Sequence, residues 1–309
     1  MKFGKLTDIS AVDFALPPEP ATNEAILQGL SPAGCTLYIG CTGWSMPEWK
    51  GTYYPTKTPA TRYLEHYSQQ FNTIEFNSSH YTIPKVETVK RWKEQSTDDF
   101  VFCPKVFKYI SHTKQLGMDG DNMARMMDSL IHLDEKLGPF FMQLPPYYSA
   151  DRLPQLREFY ERWPATVELH TELRHESWYK EAGILTELQQ LTASYGHHLL
   201  ITDVAGRRDM MHMRLCGDSL MVRWVGNSAA NEERALLPTD KQRAQDWLSR
   251  ISYYIHRGIK RVYFFTHEPD NILAPDIAAY ICEQAESNPL ITTRGPQRLD
   301  GGSQLTLFS

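Results

Sequence analysis

Short apolar runs rich in β-branched and aromatic residues alternate along the chain with longer stretches whose apolar positions recur at three- and four-residue spacing. Leu37-Tyr38-Ile39 runs into Gly40 and Gly43 and reads as a buried strand ending in a tight backbone turn. That turn delivers Trp44 and Trp49, with Tyr53 and Tyr54 close behind. A helical segment at 61–71 precedes a strand at 73–77, and Pro84 stands at the start of a helix at 85–95 before a strand at 100–105. The helix at 122–137 stops at Gly138-Pro139 and gives way to a strand from Phe140 to Gln143. Helix at 153–163, strand at 166–174, helix at 184–195 and strand at 198–203 follow. The alternation then breaks once. Between Asp203 and the strand at 220–225 the chain is Arg- and Met-rich with no amphipathic period, so an irregular connection or short helix stands in for an outer helix. Regularity returns with helix 240–257, strand 261–266 and helix 275–286.

Eight strands, most followed by a helix, predict an α/β protein with parallel strands, and a (β/α)8 TIM barrel with an irregular connection between strands 6 and 7. A doubly wound open sheet is the competing arrangement, but no G-x-G-x-x-G follows the first strand and there is no P-loop. Residues 1–33 are read as a Pro-rich extension packed on the barrel, 34–288 as the barrel, and 289–309 as a Gly/Pro/Thr-rich tail.

With 309 residues and 41% hydrophobic content the chain can bury a full core. A net charge of -5 excludes a surface coated in cations for nucleic acid and leaves room for a local basic pocket. No apolar run approaches the roughly 18 residues that span a bilayer, and the first twenty residues contain no apolar h-region, so no membrane partner is expected. The five cysteines form no C-x-x-C pair, which argues against a zinc or disulfide framework and places the chain in a reduced cytoplasm.

In such a barrel the reacting groups sit at the carboxyl ends of the strands. Those positions hold Trp44; Glu75 and Asn77; Lys105; Gln143; Glu172 and Arg174; Asp203; Arg223 and Trp224; and His267 with Glu268. Three cations (Lys105, Arg174, Arg223) and three carboxylates (Glu75, Glu172, Asp203) would converge on one mouth. Arg and Lys suit phosphate or carboxylate, while the carboxylates and His267 suit acid–base work or a divalent cation held by oxygen and imidazole. The competing reading is a buried network in which Arg174 and Arg223 only neutralise Glu75 and Glu172. His112, after strand three, is placed within reach of the mouth. His197-His198 opens strand six at the opposite end and is read as structural, Arg207-Arg208 as a solvated pair, and Met210-Met211-His212-Met213 as packing.

These residues resemble the YecE-like TIM-barrel family, the domain of unknown function numbered seventy-two. The matching pieces are Gly40-x-x-Gly43-Trp44, Trp49-x-Gly51-x-x-Tyr54-Pro55, and Glu75-Phe76-Asn77 with Tyr81 and Pro84. Further on come Trp92, Phe100-x-Phe102-x-x-Lys105, Ser111-His112, Leu137-Gly138-Pro139, Gln143-Leu144-Pro145-Pro146, Glu172-Leu173-Arg174-His175-x-Ser177-Trp178 and Asp203. Two departures stand out. The polar stretch Val167 to Thr171 leaves the register of strand five open, because Glu168 and His170 share parity with Glu172; and His267-Glu268 replaces asparagines found in many relatives. The resemblance implies a fold and no settled reaction.

The leading functional expectation is an enzyme acting on an anionic, phosphorylated, plausibly nucleic-acid-derived substrate by acid–base or metal-assisted hydrolysis. Glu172, Glu75, Asp203 and His267 would carry the chemistry. Lys105, Arg174 and Arg223 would clamp the anion, Trp44 and Tyr81 would stack on a ring, and Asn77, His112, Gln143 and Trp178 would complete the binding wall. A carbohydrate or sugar-phosphate enzyme unrelated to DNA, and a non-catalytic recruitment protein, are the alternatives. After the flexible Gly301-Gly302-Ser303, Gln304-Leu305-Thr306-Leu307-Phe308 resembles the Q-L-[SD]-L-F peptide that docks bacterial proteins on the DNA polymerase sliding clamp. Gln304 and Leu305 would lie along the clamp while Leu307 and Phe308 anchor in a pocket. The competing reading is that this tail folds back on its own domain.

Overall fold

The computed structural model describes residues 4, 6–230 and 234–299. Its strands are β1 (Cys35–Gly40), β2 (Thr73–Phe76), β3 (Val101–Pro104), β4 (Phe140–Gln143), β5 (Leu169–Glu172), β6 (His198–Asp203), β7 (Ser219–Val225), β8 (Arg261–His267) and β9 (Ile291–Thr293). All strand pairs are parallel, and the helices between strands include Tyr63–Gln70, Val86–Gln95, Leu153–Arg162, Ala182–Ser194, Pro238–Ile255 and Ala274–Ala285. Between β6 and β7 the chain makes a 3-10 turn, Ala205–Met210.

The closed eight-stranded barrel expected from the alternation is not what forms. The strands make a seven-stranded sheet in the order β4-β5-β6-β7-β8-β1-β9 and a separate two-stranded sheet, β2-β3. The β1 edge shows why. The side chain of Asn72 accepts from Ile39 N–H at 2.7 Å and donates to the Leu37 carbonyl at 3.0 Å, and the Tyr67 hydroxyl accepts from Cys41 N–H. Side chains thus take the edge groups that a ladder to β2 would use. β9 lies in the segment expected to be tail, and it pairs with the first residues of β1. Among the described residues the segments of β3 and β4 pair only through the isolated bridges Phe102↔Leu137 and Lys105↔Phe141, each joining a residue of one strand to one just outside the other.

Period-two alternation sorts the strand residues onto two faces. Leu37, Ile39, Leu169, Leu199, Ile201, Leu220, Val222, Val262 and Phe264 pack with the helices in the main core. The opposite face holds a smaller cluster of Cys103, Phe141, Leu200, Met221, Tyr263 and Phe265. The next inward position after several of these residues is polar, and those positions make the site.

Gly40 marks the tightest approach of β1 to β2. A Cβ there would sit 2.2 Å from the Thr73 carbonyl oxygen, which is backbone and cannot rotate away. Gly40→Ala is expected to lower stability by about 1–3 kcal/mol through overpacking. A denaturant titration measures it, and an unchanged midpoint would contradict the close approach.

Candidate functional site

Glu75, Lys105, Gln143, Glu172, Arg223 and His267 follow the inner-face parity of Thr73, Cys103, Phe141, His170, Met221 and Phe265, each two residues earlier on its own strand. They converge in one hydrogen-bonded chain. Arg223 donates from Nε and Nη2 to Glu75, at 3.0 and 2.8 Å, and from Nη1 to Glu172 Oε2 at 2.6 Å. Arg174 Nε donates to Glu172 Oε1 at 2.6 Å. Gln143 donates to Glu172 Oε2 at 2.8 Å and accepts from Lys105 Nζ at 3.2 Å. At the other end Asn77 donates to Glu75 Oε1, and His267 Nε2 lies 2.7 Å from Glu75 Oε2.

The electrostatics follow from burial. Burial pushes the Glu75 carboxyl up, but Arg223 and His267 outweigh it and hold Glu75 well below the usual carboxylate range. Glu172 behaves likewise, brought down to about 2 by Arg174 and Arg223 against its desolvation. Burial, with Arg223 beside it, pushes the Lys105 ammonium down to about 8. Among the described residues Lys105 makes no ion pair; its hydrogen-bond partner is the neutral Gln143 amide.

The segments after β2, β3 and β4 carry exposed rings. Tyr81, Tyr109 and Tyr147 are 65%, 54% and 55% exposed. Tyr147 donates to the His112 carbonyl, and the His112 ring packs edge-on against His80. Tyr109 and Tyr147 escaped the sequence reading, since exposure of a loop tyrosine has no local signature.

The first matched residue, Tyr38, and the last, Leu299, bracket all of these elements in a match to a family model described as "Protein of unknown function DUF72", which spans residues 38–299. The chain belongs to the DUF72 family. It is similar to the UPF0759 protein YecE of Escherichia coli K12, at 27% identity over 265 residues, 80% of this chain and 92% of that protein. It is also similar to the UPF0759 protein YunF of Bacillus subtilis 168, at 25% identity over 154 residues, 46% of this chain and 52% of that protein. Crystal structures of DUF72 family proteins from Enterococcus faecalis V583 and Thermotoga maritima MSB8 superpose with TM-scores of 0.63 and 0.61. They are 18% and 22% identical, and each match covers 82% of this chain and 98% of the other, which shows a shared fold. The resemblance to the YecE-like family therefore holds, while the closed barrel it implied does not.

Within this DUF72 chain several expected site residues go elsewhere. Asp203 has the parity of Leu199 and Ile201, so it faces the helices. Its carboxylate accepts from Arg208, from Arg243 Nη2 at 2.9 Å and from Trp247 Nε1 at 2.7 Å. Trp44 stacks on Phe76 at 5.6 Å and meets Trp92 and Phe102 edge-on, as packing. Trp178 is fully buried and donates to the Tyr148 carbonyl. Neither tryptophan belongs to the hydrogen-bonded cluster. Gln304, Leu305, Leu307 and Phe308 lie outside the described residues. No helix among the described residues is long and apolar enough to cross a membrane.

Glu268, noted beside His267 at the end of a strand, stands in an environment the sequence did not foretell. Glu268 follows His267 on the opposite parity, and its Oε2 accepts from Ser228 N–H at 2.9 Å while, among the described residues, Oε1 has no hydrogen-bond partner. Burial pushes this carboxyl up to about 10. It lines a cavity of about 210 Å³ together with His267, Asn227, Asn271 and the leader residues Leu6 and Ile9. The polar identity of Glu268 was visible; that no cation pairs with it among the described residues was not.

Proposed function

We propose that this protein is an enzyme that binds a phosphorylated, nucleic-acid-derived substrate at the Lys105–Arg174 side of the cluster and hydrolyses it by acid–base chemistry. The observation that carries the reading is Lys105, a buried ammonium without a carboxylate, in a cluster of three cations (Lys105, Arg174, Arg223) and two carboxylates (Glu75, Glu172). An unpaired buried cation is costly, and an incoming phosphate supplies the missing counter-charge and accepts charge-assisted hydrogen bonds.

In the neutral form of His267, Nε2–H donates to Glu75 and the lone pair is left on Nδ1. That is the arrangement of a general base oriented by a carboxylate. Tyr81, Tyr109 and Tyr147 supply ring faces on which unpaired bases stack. The metal-assisted variant draws no support from this cluster, because Glu75 and Glu172 already accept from Arg223, Arg174, Asn77, Gln143 and His267.

Titration calorimetry with a short single-stranded oligonucleotide tests the reading. Lys105→Met should weaken binding by about 1.5–3 kcal/mol, the range for a lost hydrogen bond to a charged group. Wild-type affinity should also fall steeply with salt. Equal affinity in wild type and a folded Lys105→Met variant would assign Lys105 a purely structural role. Salt-insensitive binding would favour a neutral carbohydrate ligand.

We also propose recruitment to the DNA polymerase sliding clamp through Gln304, Leu305, Leu307 and Phe308. A peptide ending in QLTLFS should bind purified clamp with micromolar affinity, about 7–8 kcal/mol. Replacing Leu307 and Phe308 with alanine should abolish binding, and equal binding by both peptides would remove this partner.

A further inference from the structure

The amino-terminal ends of the strands carry a second cluster that the proposed reaction does not use. Glu168 and His170 are two residues apart at the start of β5 and so project to the same face. In the β5–β6 ladder His170 pairs with His198, which brings the two imidazoles together at 4.7 Å between ring centres and 19° between planes. His170 Nε2 lies 2.8 Å, and His198 Nε2 3.7 Å, from the same oxygen, Glu168 Oε1. One atom from each of the three side chains lies within 4.8 Å of the other two.

We infer that Glu168, His170 and His198 form a binding site for a divalent transition metal of the zinc class. Three observations support this. The first is spacing: bonds of roughly 2.0–2.1 Å to a tetrahedral ion put neighbouring ligand atoms about 3.3 Å apart, and the two measured separations from Glu168 Oε1 bracket that value.

The second is the state of His198. The ring is 5% exposed and, among the described residues, Nδ1 has no hydrogen-bond partner while Nε2 stands 3.7 Å from Glu168 Oε1, too far for a hydrogen bond. A buried polar ring is rarely left unpartnered. A metal ion on Nε2 would give this otherwise unpartnered ring one polar contact.

The third is the support behind the carboxylate. Arg261 Nη1 takes Glu168 Oε2 at 2.8 Å, and Arg261 is itself paired with Asp218. This holds Glu168 by its far oxygen and leaves Oε1 facing the histidines, as outer groups do for metal-bound carboxylates. Ser219 Oγ, 3.3 Å from His170 Nε2, stands beside the fourth position. The Glu168 side chain is 18% exposed, which gives an ion a route from solvent. Two imidazoles and one carboxylate oxygen favour zinc, cobalt or nickel over magnesium or calcium, which prefer all-oxygen sites.

The test uses the full chain without an affinity tag, stripped by chelator dialysis and titrated with Co²⁺ while its visible d–d absorption is followed. Zn²⁺ is then added in competition and its effect on thermal unfolding recorded. One equivalent of Co²⁺ should bind, be displaced by Zn²⁺, and raise the unfolding temperature through binding to the native state. His198→Phe and Glu168→Gln should each weaken binding by about tenfold or more, at least the loss typical of removing an outer-shell group. The wild-type titration overturns the proposal by itself if no stoichiometric uptake occurs. Undiminished uptake by Glu168→Gln, the nearly isosteric change and the one more certain to fold, also overturns it. The readout involves neither phosphate nor turnover, so it stands or falls apart from the Lys105 reading.

Discussion

Arg223→Met should lower the unfolding free energy by about 3–5 kcal/mol, the cost of breaking a buried ion pair by removing one partner. Methionine keeps an unbranched apolar stem and removes the charge, leaving Glu75 and Glu172, both essentially inaccessible to water, without their shared guanidinium. The pH dependence gives a second signature. In the native protein both carboxyls are held below their unfolded values, so their contribution is present above the ordinary carboxylate range near 4.5 and is lost as pH falls through the folded value, about 2 for Glu172. Without Arg223 burial dominates, the carboxyls take up protons more readily, and the gap to wild type should narrow on acidification. Denaturant titrations of both proteins between neutral and acid pH measure this. A loss under about 1 kcal/mol would mean that Arg223 is not the group keeping these carboxylates buried.

Glu268→Gln should flatten the pH dependence of stability and stabilise the protein in alkali. The folded carboxyl is pushed up to about 10 by burial, with Asp240 adding to it. Its folded value exceeds its unfolded one, so the native state holds a proton that the unfolded chain releases. Wild-type stability therefore falls as pH rises from about 4.5 towards 10, by at most about 1.4 kcal/mol per pH unit for one proton. Between pH 5 and 8 the wild-type curve should drop relative to the variant by up to about 4 kcal/mol. The glutamine keeps the shape that Gly226 accommodates: a Cβ at Gly226 would lie 2.5 Å from both Glu268 oxygens. Its amide oxygen can still accept from Ser228 N–H. Parallel pH profiles for the two proteins would show that Glu268 ionises freely in the folded state.

Much of the candidate site was legible in the chain because alternation along a strand is a local property. Glu75 stands two residues from Thr73, Lys105 two from Cys103, Gln143 two from Phe141, and His267 two from Phe265; one parity rule puts all four on the inner face. Asp203 failed that rule. It ends the run His198-Leu199-Leu200-Ile201-Thr202, whose three central positions are consecutively apolar, so nothing nearby says which parity faces the helices. The answer came from Trp247 and Arg243, 44 and 40 residues downstream in sequence and waiting on the helix side. Trp44 entered the expected site from its place after the first strand and Trp178 from the family-like motif, but in the fold both rings serve packing.

The sequence by itself determined the α/β class, the succession of parallel strands, the family, and the face on which most charged residues stand. These depend on hydrophobic period and on motifs a few residues long. The tertiary structure decided the rest. Asn72 and Tyr67 occupy the edge of β1, so the strands divide into two sheets instead of closing. Glu168 and His170 went to one end of β5 and Glu172 and Arg174 to the other, splitting four same-face residues into two separate clusters. Arg223 found Glu75 across 148 residues of chain. Alternation selects a face, but the end of the sheet and the partner across it are set by long-range register, which no local pattern encodes.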